Sequence, residues 1–116
     1  MTLRLLTPCG WVEFATYHLG GVAILLREHP TVHSEVNAKA TVMLDSLGCE
    51  LGENEVWIKT WAENKGVLEA LVAGGVVDPT GRVHTIGRNG SQVCAVHARL
   101  TPMALVELAR QRGEAE

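Results

Sequence analysis

Residues 11–27 read WVEFATYHLGGVAILLR. Val12, Phe14 and Thr16 alternate with Trp11, Glu13, Ala15 and Tyr17, the two-residue period of a strand with one buried face. Gly20-Gly21 separates this run from a second apolar run, Val22 to Arg27. Glycines between two such runs mark a hairpin, because the favoured tight turns need positive φ. The reading is an antiparallel hairpin of Trp11–Leu19 with Val22–Arg27.

Outward from this hairpin, more strands follow. Thr2 to Leu6 is a short apolar start stopped by Pro8 and Gly10. His29 to Asn37 is a polar connection, and Pro30 cannot donate to a ladder. Ala38 to Asp45 alternates, with Ala40, Val42 and Leu44 on one face. Ser46 to Asn54 reads as a loop. Glu55 to Thr60 reads as a strand with Val56 and Ile58 opposite Trp57 and Lys59.

The pattern then changes period. Thr60 and Glu63 have capping-box spacing, and Val67, Leu68, Leu71 and Val72 recur at helical spacing before Gly74-Gly75. A helix is predicted near Ala62–Ala73, with Gly66 signalling either a later start or a close backbone. Asp78-Pro79-Thr80-Gly81 reads as a turn. Arg82–Ile86 and Gln92–Leu100 read as strands joined through Asn89-Gly90. Thr101-Pro102 reads as an N-cap with proline at the first helical position. The helix after it has Leu105, Leu108 and Ala109 on its apolar stripe and Gly113 as its stop.

Short, hairpin-like connections imply an α+β fold: an antiparallel or mixed sheet of about five to seven strands with two helices packed on one face. One domain over residues 1–116 is expected. The 47% hydrophobic and 20% charged composition is globular, not disordered. No apolar run reaches the roughly 20 residues of a membrane helix. Cys9, Cys49 and Cys94 form an odd set without CxxC spacing, which points to a reducing, cytoplasmic setting.

The net charge of −3 argues against direct nucleic-acid contact, but the charges are unevenly placed. Asp45, Glu50, Glu53 and Glu55 have no basic residue among them, whereas Arg82, Arg88, Arg99, Arg110 and Arg112 face Glu107 alone in their segment. Such a split can steer a charged partner.

No spacing marks a chemical centre. Cys94 and His97, three apart on a strand, point to opposite faces, and His29 and His33 have i,i+4 spacing, but Pro30 and the polar segment argue against a helix that would bring them together. Cys94 reads as a small buried hydrophobe. There is no GxSxG, and Gly87-Arg88-Asn89-Gly90 lacks the lysine and helix of a phosphate loop. No cofactor, metal ligand or catalytic residue is assigned. The tryptophans have two readings: covered by the helices, or partly exposed as an anchor patch.

Trp57 to Arg82, running through Trp61, Glu63, Asn64, Gly66 and Pro79-Thr80-Gly81-Arg82, resembles a family of small bacterial proteins. Its pattern is an aromatic residue, Ser-Glu-Asn, a glycine, a Leu/Ala helix and Pro-Thr-Gly-Arg; here Ala62 replaces the serine. The resemblance implies an accessory protein of phages, plasmids or integrated elements, and carries over no residue role.

The function expected is therefore non-enzymatic binding of a host protein or protein complex, as an inhibitor of a defence complex of anti-CRISPR or anti-restriction type. Glu50, Glu53, Glu55, Trp57, Trp61 and Glu63 are the expected contacts. No membrane partner is expected, and homodimerisation is compatible with this reading. One alternative is a small enzyme or ligand-binding domain whose site forms only in the fold, inspected first at His84, Cys94 and Glu63. The other is a DNA-binding protein using the arginine-bearing C-terminal third.

Overall fold

The computed structural model describes residues 2–17, 21–31, 33–42, 54–61, 64–88 and 91–115. Among these residues the architecture is α+β, with seven strands in two antiparallel sheets and two helices packed against them. The first sheet runs β1 (Leu6–Thr7), β2 (Gly10–Thr16), β3 (Val22–Arg27), β4 (Val36–Lys39). The second has the order β5 (Glu55–Lys59), β7 (Ser91–Leu100), β6 (Val77–Arg88). No helix among the described residues is long and apolar enough to cross a membrane.

The hairpin pairs Trp11 with Arg27 through to Thr16 with Val22. Tyr17 N donates to Gly21 O at 3.0 Å, so β2 ends before the expected Leu19, while the intervening positions lie outside the described residues. Past β4 the chain crosses between sheets. Ala40 N donates to Ile24 O, and Lys59 N donates back to Ala40 O, each at 2.8 Å. The expected strand through Asp45 is described only as far as residue 42.

The alternating residues Val12, Phe14, Ile24, Leu26, Val56, Ile58, Ala98 and Leu100 face inward, where Val67 and Leu71 of α1 (Val67–Ala73) and Ala104 and Leu108 of α2 (Pro102–Ala115) close the core. Ala109 is exposed, and the inward stripe of α2 includes Ala104, Glu107 and Gln111 instead. Thr101 caps α2 as predicted, its hydroxyl accepting from Ala104 N at 3.0 Å. That helix runs through Gly113 to Ala115 rather than stopping there.

α1 begins later than the capping box suggests. Gly66 is its N-cap at φ +84°, and Thr60 Oγ1 donates to Cys94 O instead of capping. Nothing lies within 4 Å of a Cβ built on Gly66. Backbone conformation, not close packing, therefore selects glycine there. The Asp78–Gly81 segment is no separate turn. It is a bulge inside β6, between the Pro79–Ala98 and Val83–Val96 pairs. The proline sits on an edge strand, where its missing N–H breaks no central ladder.

Candidate functional site

The core-facing side of the second sheet is set by Val56 and Ile58. The opposite face carries Glu55, Trp57 and Lys59 of β5, and the register aligns them with Arg99, His97 and Ala95 of β7. Asp78 and His84 of β6 stand beside Arg99 and Ala95 on the same face. No helix residue belongs to the cluster formed by Trp57, Ala95, Val42, Trp61 and Ile86.

Trp57 is the centre of this face, and it is only 2% exposed. His97 and His84 meet its ring edge-on, with centroids at 5.2 and 6.2 Å. The Arg82 guanidinium lies over it at 5.7 Å. Trp57 is therefore a packed platform and not a projecting anchor. Among the described residues its packing partners include Ala95 and Ile86 of the sheet, Val42 and Trp61, and no helix residue.

Trp61 is half-buried, with the Lys59 ammonium 5.7 Å from its ring centre. Glu55 is turned inward, with Oε1 3.2 Å from His97 Nε2 and Oε2 3.5 Å from Arg99 Nε. Glu50, Glu53 and Glu63 lie outside the described residues. Among the described residues, Arg82, His84, His97 and Arg99 from the neighbouring strands share this face with Glu55 and Asp78.

His97 joins three groups that sequence reading did not link. It is 1% exposed, and its Nδ1 lies 2.5 Å from the exposed Thr80 hydroxyl. The β6 bulge sets Thr80, Gly81 and Arg82 against this single β7 position, and Thr80 Oγ1 also approaches His97 O at 3.3 Å. The Glu55 contact at Nε2 is close but off the line of a straight N–H···O bond. A carboxylate beside Nε2 favours a proton there, which leaves Nδ1 to accept from Thr80. Hydroxyl, imidazole and carboxylate in series can activate a nucleophile, or simply pin the bulge.

The residues first suspected of forming a hidden centre do not converge. His84 is on the Trp57 face, whereas Cys94 is exposed on the other, 3.7 Å from Thr85 Oγ1. Cys94 is thus not the buried hydrophobe expected. No group of three His, Cys, Asp or Glu side chains could hold a metal among the described residues.

A second surface was not anticipated. Leu6, Val72, Met103 and Val106 are large and exposed, Val106 at 73%. The Leu6 backbone and the Met103 side chain both approach Gly74-Gly75, which follow Val72 in the chain. The Leu6 carbonyl is 3.3 Å from a Cβ built on Gly74, and Met103 Cε is 2.7 Å from one built on Gly75. Val106 follows Met103 by one turn of α2. Only the period of the α2 sequence could have flagged it, since Leu6 and Val72 come from distant segments. No protein-family model, curated protein or solved structure matches the chain.

Proposed function

We infer that this chain acts without catalysis, by binding a larger protein. The observation that carries the reading is the exposed apolar surface of Leu6, Val72, Met103 and Val106. Clustered exposed apolar side chains mark protein contacts more often than isolated ones do. Its finer form is an accessory protein of a mobile element that inhibits a host defence complex of anti-CRISPR or anti-restriction type. The resemblance over residues 57–82 and the divided charge support that form. Trp61 and Glu55, with Glu50, Glu53 and Glu63, remain proposed secondary contacts, while the buried Trp57 packs within β5 beside Glu55.

The test is capture from a host lysate by the tagged chain and by Met103→Glu and Val106→Glu variants. A charge in the centre of a desolvated contact costs about 2 kcal/mol or more, so each variant should lose the captured partner by roughly thirtyfold. Equal capture by both variants, or no capture by the native chain, would end this reading.

A second reading rests on the Thr80–His97–Glu55 series. In it, Thr80 Oγ1 attacks the carbonyl of an activated ester, His97 takes the hydroxyl proton and the alcohol leaves. With p-nitrophenyl acetate this predicts an acetyl adduct on Thr80 and one nitrophenolate per chain, both abolished in Thr80→Val. An unmodified Thr80 rejects it.

A further inference from the structure

Thr80 and Arg82 are both exposed, and both belong to the bulge of β6. The Thr80 hydroxyl meets His97, whose ring centroid is 5.2 Å from that of Trp57. The Arg82 guanidinium lies over the same indole at 5.7 Å. A hydroxyl nucleophile and a cation thus belong to one cluster centred on Trp57. Two residues of chain separate them by at most about 7 Å. Gly81 between them takes φ +90°, and nothing lies within 4 Å of a Cβ built on it. No other group crowds the tip of the bulge.

The two arginines of this face differ in their partners. Arg99 stands 3.5 Å from Glu55, whose other oxygen is 3.2 Å from His97. Arg82 makes no ion pair among the described residues, and its contact is the Trp57 ring. Asp78 is aligned with Arg99, and it precedes Thr80 where Arg82 follows it. Arg82 is therefore the cation left to an incoming anion beside the Thr80 hydroxyl.

We propose that Thr80 is a self-acylation site for acyl phosphates, with Arg82 holding the phosphate. This rests on the second reading above, in which His97 takes the Thr80 proton, and adds the donor class to it. The planar arginine fork matches two phosphate oxygens, and a neutral ester would leave it unused. A carboxylate on the acyl chain could also meet the fork. Phosphate differs in being the leaving group, so the cation neutralises charge that grows as the bond breaks. Thr80 Oγ1 attacks the carbonyl carbon, and the bond from that carbon to the phosphate oxygen breaks with its electron pair on the phosphate. The hydroxyl proton passes to His97 Nδ1 and then to the released phosphate. The products are a threonine ester and inorganic phosphate, and nothing is oxidised or reduced.

The test treats the full chain with acetyl phosphate and, separately, with p-nitrophenyl acetate, and follows acetylated Thr80 by peptide mass spectrometry. Acetyl phosphate should acetylate Thr80, and Thr80→Val should abolish that adduct. Arg82→Gln should slow acetylation by acetyl phosphate at least about tenfold, and leave the reaction with p-nitrophenyl acetate within about twofold. Arg82→Lys keeps the charge without the fork and should recover part of the loss. Acetylation of Thr80 by the ester but not by acetyl phosphate would overturn the donor class alone. Equal slowing of both donors in Arg82→Gln would overturn it too, because Arg82 would then only support the bulge. An unmodified Thr80 with both donors would remove the second reading and this proposal together.

Discussion

Gln111 is a helix residue that behaves as a strand partner. Its Oε1 accepts from Phe14 N at 2.8 Å and its Nε2 donates to Val12 O at 3.1 Å, both in buried surroundings. Alanine at this position would leave an amide and a carbonyl of β2 buried and unsatisfied. The expected loss is about 2–4 kcal/mol, read as a shift of the urea midpoint with an unchanged slope. The same amide donates to Glu107 Oε2 at 2.7 Å, and the Arg110 fork grips that carboxylate through Nε and Nη2, each at 2.7 Å. Hydrogen bonding to Arg110, and then to Gln111, holds Glu107 below its ordinary 4.5 despite burial, with the Arg110 charge and Arg4 N–H assisting. A carboxylate lowered on folding stabilises above its unfolded value and ceases to do so as pH falls through the lowered one. Stability should therefore decline as pH drops below about 4.5. Glu107→Gln should flatten that decline and lower the urea midpoint at pH 7. An acid limb unchanged in the variant would remove Glu107 from this role. Neither residue was legible in the sequence, because a polar pair at i and i+4 reads as a solvated face until β2 is laid against it.

At the scale of elements, strand identities follow from the alternation of residues such as Val12 and Phe14, and their ends depend on contacts that alternation does not encode. Thr60 and Glu63 have the spacing of a capping box, yet the Thr60 hydroxyl goes to Cys94 O and α1 starts at Val67. Asn64 stabilises the intervening segment, its Nδ2 donating to Lys39 O at 2.7 Å. Gly66 then turns the chain with φ +84°, a conformation that costs a residue with a Cβ about 1–2 kcal/mol. Gly66→Ala should lower stability by that amount and Gly66→Asn by less, because asparagine tolerates the left-handed region. Equal losses in urea denaturation would show that left-handed tolerance is not what distinguishes residues at this position. α2 is the opposite case, where local chemistry decided the start. Thr101 Oγ1 caps Ala104 N and also donates to Gly75 O at 2.5 Å, tying α2 to the end of α1. Thr101→Ala should cost about 1–2 kcal/mol, measurable in the same assay. Pro79-Thr80-Gly81 misled for a physical reason: proline and glycine serve a bulge as well as a turn, and only the pairing of Val77 with Leu100 on its far side tells them apart.

The candidate surfaces arise at the scale of the whole molecule, which is why sequence reading reached them least. Trp57 lies in an acidic stretch of sequence, yet its described ring contacts are His97, His84 and Arg82, which β7 and β6 bring across to it. The Leu6 carbonyl reaches Gly74 only because α1 turns back on β1. The two sheets are themselves coupled by one short crossing. Ala40 is bonded to Ile24 on one side and Lys59 on the other, Val42 N donates to Trp57 O at 3.0 Å, and Thr41 Oγ1 accepts from Ile24 N at 3.2 Å. Behind that crossing, Ile24 and Leu26 of the first sheet and Val56 and Ile58 of the second belong to one continuous core. A shared core with shared hydrogen bonds should unfold as one unit. Trp11 reports from the first sheet and Trp57 from the second, so intrinsic fluorescence and far-ultraviolet circular dichroism should give coincident urea transitions. Ile24→Ala, at a fully buried site in the first sheet, should cost about 2–5 kcal/mol. If the sheets are coupled, it moves the Trp57 environment and the dichroism midpoint together. A variant in which the second sheet keeps its native midpoint while the first melts would show that the Ala40 crossing does not transmit stability between them.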